Sequence, residues 1–413
     1  MSNTQKKNVP ELRFPGFEGE WEEKKLGDTL ELVKDGTHGT HESVSNGPWL
    51  LSAKNIKNNK IIISSDDRKI SENDYQKIYK NYKLEKGDLL LTIVGTIGRT
   101  TIVKDPRNIA FQRSVAILKT KTIYDVGFIF QLFQTNYFKN LLLRKQVVSA
   151  QPGIYLGDIR KLKISITNII EEQQKIGKFL SKLDRQIELE EQKLELLQQQ
   201  KKGYMQKIFS QELRFKDENG NGYPEWEEKK LGEIACKVIK KNTDKIYTET
   251  LTNSAELGII SQRDFFDKEI SNIDNIKNYY VVEENDFVYN PRISTYAPFG
   301  PVNRNKLGKK GVMSPLYTVF RIQNIDLNFI EFYFKSSKWY RFMALNGDSG
   351  ARADRFSIKD KTFMEMPFYI PCMDEQIKIG QFFNNIDKCI KNYQNKINFL
   401  KKNKESFLQK MFI

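Results

Sequence analysis

Residues 20–27 read Glu-Trp-Glu-Glu-Lys-Lys-Leu-Gly, and residues 225–232 read the same without change. The match is not isolated. Glu11-Leu12-Arg13-Phe14 returns as Glu212-Leu213-Arg214-Phe215. Glu172-Gln173 with Lys175-Ile176-Gly177 returns as Glu375-Gln376 with Lys378-Ile379-Gly380, and Gln206-Lys207-Ile208-Phe209 returns as Gln409-Lys410-Met411-Phe412. The copies lie 201 to 205 residues apart in a chain of 413, far beyond the roughly 20–50 residues of a solenoid unit. The chain is therefore built from two homologous halves.

Each half has the same internal order. Its first part, residues 11–168 or 212–371, carries short β-like runs: Lys60–Ser64, Asp88–Val94, Thr100–Val103 and Val115–Lys119, then Phe287–Asn290 and Tyr317–Ile322. Separated by Gly, Asn and Asp, such runs predict a compact, strand-rich α/β domain. Gly87-Asp88-Leu89 corresponds to Asn285-Asp286-Phe287. Gly and Asn are the residues that best tolerate a left-handed backbone, so the pair predicts a shared turn.

The second part of each half is one long helix with a heptad stripe. Positions 176, 180, 183, 187, 190, 194, 197, 201, 204 and 208 read Ile, Leu, Leu, Ile, Glu, Leu, Leu, Lys, Tyr, Ile. From 379 to 411 the same steps read Ile, Phe, Ile, Ile, Tyr, Ile, Leu, Lys, Phe, Met. A 3.5-residue period of this length predicts a coiled-coil seam. Its pairing residues are Ile176, Leu180, Leu183, Ile187, Leu194 and Leu197 with Ile379, Phe383, Ile386, Ile390, Ile397 and Leu400. The alternative is an amphipathic helix packed on its own domain. Two in-register copies in one chain favour mutual pairing, antiparallel if a pseudo-twofold axis crosses the helices. At 1.5 Å per residue each would span roughly 55 Å and act as a spacer.

Composition narrows the partners. Lys plus Arg is 67 and Asp plus Glu 52, a formal charge of +15, which favours a polyanionic partner, nucleic acid or an anionic membrane surface. With 39% hydrophobic and 12% aromatic residues the chain can build cores, so wholesale disorder is excluded. No apolar stretch reaches the roughly 18 residues of a membrane span, and Met1–Pro10 is polar, so neither a membrane anchor nor a secretion signal is expected. Cys236, Cys372 and Cys389 are few and scattered. They read as buried thiols of a reducing cytoplasm and not as a disulfide framework or zinc site.

Motifs for catalysis are weak or missing. There is no phosphate-binding Gly-x-x-x-x-Gly-Lys-Ser/Thr loop and no Gly-x-Gly-x-x-Gly. Asn290-Pro291-Arg292-Ile293 departs from the Asn-Pro-Pro-aromatic loop of amino-methyltransferases at its last two positions. Glu22-Glu23-Lys24 lacks the partner Asp of a nuclease site, and Gly95-Thr96-Ile97-Gly98, flanked by β-like runs, reads as a hairpin turn. His38 and His41 are the only histidines, with no third ligand to make a metal site. What remains is polar and basic loop chemistry. Arg, Asn and Gln suit base edges and Lys suits phosphates. The candidates are Lys34, Thr37, His38, Lys54, Asn55, Arg99 and Arg113 in the first half, and Lys240, Arg263, Arg292, Arg304, Arg352 and Arg355 in the second. Aligning Ser52-Ala53-Lys54-Asn55 with Ser261-Gln262-Arg263-Asp264 sets Lys54 opposite Arg263.

The order of parts carries a resemblance. Two divergent domains, each opened by Trp-x-x-x-x-Leu-Gly (Trp21 to Gly27, Trp226 to Gly232) and each followed by a Glu-Gln-x-Lys-Ile heptad helix, make the chain similar to the specificity subunit of type I restriction–modification systems. Asp35-Gly36-Thr37-His38 and Ser52-Ala53-Lys54-Asn55-Ile56 look like segments common in that family's first recognition domain. The resemblance implies an α/β twofold repeat: target-recognition domains at 1–168 and 212–371, and spacer helices at 169–211 and 372–413 forming an antiparallel coiled coil. It implies a cytoplasmic, non-catalytic subunit that reads a bipartite, asymmetric double-stranded DNA target. Its partners would be two methyltransferase subunits and, in a full restriction complex, two translocating nuclease subunits. S-adenosylmethionine, ATP and Mg would belong to those partners, not to this chain. The rival class is a two-headed scaffold that binds proteins and is blind to DNA sequence.

Overall fold

In the computed structural model, residues 8–80, 82–147, 152–266, 276–348 and 354–413 are described. The chain divides into two compact units, Met1–Gln192 with Gln394–Ile413, and Lys193–Tyr393. Each unit holds one head and a stretch of both long helices, Ile170–Phe209 and Met373–Met411.

The two heads share the topology of their main sheet. In the first, a four-stranded antiparallel sheet runs in the order Leu30–Asp35, Val115–Thr120, Leu89–Thr92, Thr100–Ile102. In the second the order is Ala235–Lys237, Thr318–Ile322, Phe287–Tyr289, Val302–Arg304. The central strands are apolar on both faces: Leu89, Leu90, Leu91, Phe287, Val288 and Tyr289 are all buried. A run of that kind fits a strand covered from two sides. One face packs on a helix pair, Val126–Gln134 and Asn136–Lys145, or Leu327–Lys335 and Tyr340–Asn346. The other closes over a smaller cluster, around Leu51, Ile56 and Phe111 or around Leu251, Val282 and Met313. The shared turn is present, with Gly87 at φ 99° and Asn285 at φ 70°. In each case the next residue's carboxylate accepts a backbone N–H, from Glu85 to Asp88 and from Glu283 to Asp286.

The repeated motifs meet in space and explain one another. The identical octapeptides supply the strands Glu22–Lys25 and Glu227–Lys230, paired with Lys163–Ile166 and Pro367–Ile370. Arg13 grips the fully buried carboxylate of Glu172 through Nε (2.6 Å) and a terminal nitrogen (2.8 Å). Arg214 holds Glu375 in the same way, at 3.3 and 2.7 Å. Such two-pronged pairs are what permit a buried carboxylate at a helix start. Gln173 accepts from the Asp125 N–H (2.8 Å) and donates to the Thr167 carbonyl (2.7 Å). Gln376 accepts from Asp326 (2.9 Å) and donates to Pro371 (2.8 Å). Asp125 and Asp326 in turn cap the first helix of each pair. That crossing needs glycine. A Cβ on Gly177 would lie 2.7 Å from Asp125 Oδ1 and 2.8 Å from Phe128 N, and one on Gly380 would lie 2.7 Å from Asp326 Oδ1.

The ends of the long helices are anchored alike. In the second unit Phe209 and Trp226 share one core, and Leu213 N–H donates to the Lys207 carbonyl (3.1 Å). In the first unit the end of the second helix takes that role. Phe412 meets Trp21 edge-on at 6.1 Å, and Leu12 N–H donates to the Lys410 carbonyl (2.8 Å).

Within each unit the helix stretches pair antiparallel. In the first, Asp184 meets Lys404 (2.5 Å), Glu190 meets Lys396 (3.0 Å) and Phe179 meets Phe407 at 5.0 Å between rings. In the second, Lys201 meets Asp387 (2.5 Å) and Tyr204 meets Phe382 (5.3 Å). As numbers rise along one helix they fall along the other. Lys201 and Lys404, the polar interruptions that recur at the same step of both stripes, thus have equivalent partners in Asp387 and Asp184. Ile176, Leu180, Ile187, Ile379, Phe383, Ile397 and Leu400 are buried, whereas Leu183, Leu194, Leu197, Ile386 and Ile390 are half-covered. The expectation of buried thiols is corrected: Cys236 and Cys389 are exposed. Cys236 lies on a sheet-edge strand, and Cys389 lies one residue off the stripe.

Candidate nucleic-acid interface

In the first head, four loops are sewn together at one edge. Thr37 N–H donates to the Phe111 carbonyl (2.8 Å), and Arg113 N–H donates back to Thr37 (3.0 Å). Gln112 N–H reaches Leu51 (2.8 Å), and the Ser114 hydroxyl accepts from Ala53 N–H (3.0 Å). Ile93 N–H donates to the Ser114 carbonyl (2.9 Å), and an Arg99 terminal nitrogen reaches the Ile56 carbonyl (3.4 Å). Thr37, Lys54, Arg99 and Arg113 therefore stand on adjoining segments, with Lys54, Arg99 and Arg113 exposed. Lys34 and Thr37 line an adjacent cleft with Tyr82 and Ile117. His38 is exposed and bound to Asp35; His41 contacts Thr37 Oγ1 (2.9 Å) and lies 3.7 Å from Asp74. Among the described residues no cluster of metal-ligating side chains is present.

Asn55 is corrected: it serves the fold. Only 4% exposed, it accepts from the Ser52 N–H (3.0 Å) and donates to Ile62 (2.9 Å) and to Asp67 (2.6 Å). Its neighbour Lys54 pairs with Asp67 at 2.7 Å while its own side chain stays 66% exposed. Burial pushes the Asp67 carboxyl up, but Lys54, the Ser64 N–H and Asn55 outweigh it and hold the group below the usual carboxylate range.

The second head brings fewer of its candidates together. Arg292 and Arg355 face each other across an antiparallel bridge, on the loop after Phe287–Tyr289 and on the segment before Phe356. Arg352 lies outside the described residues. Arg304 is also corrected: its guanidinium donates to Asn285 (2.8 Å from Nε) and Asn328 (3.1 Å) and lies 3.7 Å from the buried carboxylate of Glu331. Burial opposes ionisation of Glu331, but Lys335 and Lys306 keep it below the usual range, and Arg304 completes that structural cluster. Lys240 sits elsewhere, lining a cleft with Lys237, Glu283 and Arg321.

The alignment of Lys54 with Arg263 fails. Trp49 pairs parallel with Ile109 and antiparallel with Lys69. Their counterparts are Thr250 beside Val312 and the antiparallel pair Leu251 and Ser261. Lys54 thus follows the first strand of the trio, whereas Arg263 follows the strand equivalent to residues 68–70 and opens the helix Gln262–Phe266. A shared serine aligned two unrelated turns. Sequence reading also missed that Arg13 and Arg214 hold the helix starts; their recurrence three residues into the Glu-Leu-Arg-Phe motif was the available signal.

Divergent loops gathered at one edge of a duplicated fold suit a recognition protein, and the comparisons agree. The family model for the type I restriction modification DNA specificity domain matches twice, at residues 18–199 and 223–402, and the chain belongs to that family. It is 26% identical over 400 residues to a putative type I restriction enzyme MjaX specificity subunit of Methanocaldococcus jannaschii, covering 90% of this chain and 88% of the relative. It is 24% identical over 168 residues to the EcoBI specificity subunit of Escherichia coli, covering 40% and 35%. Among solved structures, the S subunit of a type I system from M. genitalium superposes with TM-score 0.59 at 14% identity, over 98% of this chain and 99% of that one. A chain from a structural study of complex assembly in the type I R-M system gives 0.52 at 14% identity, over 95% and 97%. The structural likenesses are of fold. The protein is a DNA-specificity chain of the type I class. No described helix is long and apolar enough to cross a membrane.

Proposed function

We propose that each head reads one half of a split, asymmetric double-stranded DNA target, and that the chain directs two methyltransferase subunits to that target. In a complete restriction complex, two translocating nuclease subunits would join them. The observation that carries this reading is where the copies agree and where they differ. Arg13 and Arg214, Glu172 and Glu375, Gln173 and Gln376, and Gly177 and Gly380 agree, and all serve the joint between head and helix. The edge loops differ, so the two halves of the target are unrelated sequences. Tethering two readers in one chain makes the second contact intramolecular and raises its effective concentration. In this account the chemistry, with S-adenosylmethionine, ATP and Mg, belongs to the partners, and the complex works in the cytoplasm. The test is selection of random DNA duplexes on the purified complex of this chain with its methyltransferase subunit. A split consensus is expected. Binding that enriches no sequence would favour a two-headed protein scaffold.

A further inference from the structure

The bridge between Arg292 and Arg355 has a feature that the fold does not require. Its flanking hydrogen bonds run from Ile293 N–H to Asp354 O (3.0 Å) and from Phe356 N–H to Pro291 O (2.8 Å). Arg292 and Arg355 are therefore a non-hydrogen-bonded pair, the type whose facing side chains come closest, with Cα atoms ~4.5 Å apart. Like charges directly opposite are destabilising. Compensation is slight. Arg292 Nε lies 3.9 Å from Asp354 Oδ2, with the two side chains 69% and 53% exposed. Among the described residues no carboxylate pairs with Arg355.

The first head contains the same bridge, Val94 opposite Gly153. It is flanked by the same two bonds, Ile154 N–H to Ile93 O (2.9 Å) and Gly95 N–H to Pro152 O (3.0 Å). The ladder thus forms without charge at either position, and the arginines are not there to build it. The DNA backbone presents the same phosphates in every half-site, so a phosphate contact at this place would serve both heads. A contact to one base would serve only the head whose half-site holds that base. Guanine offers O6 and N7 side by side in the major groove, the acceptor pair that a guanidinium fork meets with two bonds.

Resting on the DNA-reading role of the heads, we propose that Arg292 and Arg355 form a guanine-reading pair that sets part of the half-site recognised by the second head. The test uses the complex with the methyltransferase subunit, carrying Arg292→Lys, Arg355→Lys or Arg292→Val; the valine is the residue the first head already holds at this place. Melting temperatures should equal or exceed wild type, since the valine variant also removes a like-charge pair, and this shows that the head is folded. Binding to duplexes with single changes in the consensus should keep the first half-sequence. Preference for guanine in the second should fall roughly 5- to 150-fold. An unchanged second half-sequence in all three variants overturns the proposal. So does a lysine variant that behaves as wild type while valine weakens all sequences equally and flattens the salt dependence, which is the signature of a phosphate contact. If the wild-type complex selects no sequence at all, the broader reading of the heads has failed, a result distinct from either.

Discussion

Lys54 shows how one residue can serve the fold and stay available to a partner. Its ammonium neutralises buried Asp67 yet remains largely in solvent. A carboxyl held below its ordinary value in the folded state contributes stability above the unfolded value of about 3.9, and that contribution is lost as pH falls through the folded value. In Lys54→Ala, burial of Asp67 is no longer outweighed as strongly, so the carboxylate contributes less at neutral pH. The gap in melting temperature between wild type and Lys54→Ala should be widest near pH 7 and should close below about pH 4. A gap independent of pH would show that the pair contributes nothing through charge. Sequence reasoning could nominate Lys54 and Asn55 by type but could not separate them. The difference lies in Asp67, a residue 12 positions beyond Asn55 that folds over both.

At the scale of elements, the joint between head and long helix is the most constrained part of each half. Gly177 and Gly380 let the capping aspartates Asp125 and Asp326 sit on the helix backbone. Gly177→Ala and Gly380→Ala should each cost about 1–3 kcal/mol, because neither the cap nor the backbone can retreat without breaking hydrogen bonds. A lowered melting temperature in both variants is the expected result; wild-type stability in either would mean that the joint is looser than its distances. This joint was legible as repetition and not as geometry. Gly177 and Gly380 stood out because two copies kept them, while their neighbours Asp125 and Asp326, about 50 residues earlier, carried no local signal. The long helices were the most legible elements, since a heptad stripe records burial directly. The helices Val126–Gln134 and Leu327–Lys335 were not anticipated. Phe-rich runs such as Phe128-Ile129-Phe130 are buried all round and lose the periodicity that marks a helix.

For the whole molecule, duplication explains both what is kept and what is free to change. Lys201 with Asp387 and Lys404 with Asp184 repeat one polar device in the helix pairing, and Arg13 with Glu172 and Arg214 with Glu375 repeat another at the joints. At the edges, the bridge that joins Val94 to Gly153 in one head joins Arg292 to Arg355 in the other, with one hydrogen-bond register and different side chains. That contrast was visible in outline from the repeats, but the equivalent positions were not. Equivalence of Val94 with Arg292 and of Gly153 with Arg355 rests on hydrogen-bond register, which sequence similarity between the halves is too low to carry. The central claim, that this chain supplies the sequence specificity of a methyltransferase complex, has a direct measurement. The chain and its methyltransferase subunit are produced together in a host without adenine methylation, and the modified adenines are mapped across the genome. The account predicts one split motif with two unrelated halves, absent when this chain is omitted. A complex that assembles yet leaves no methylation, or a motif that persists without this chain, would contradict it.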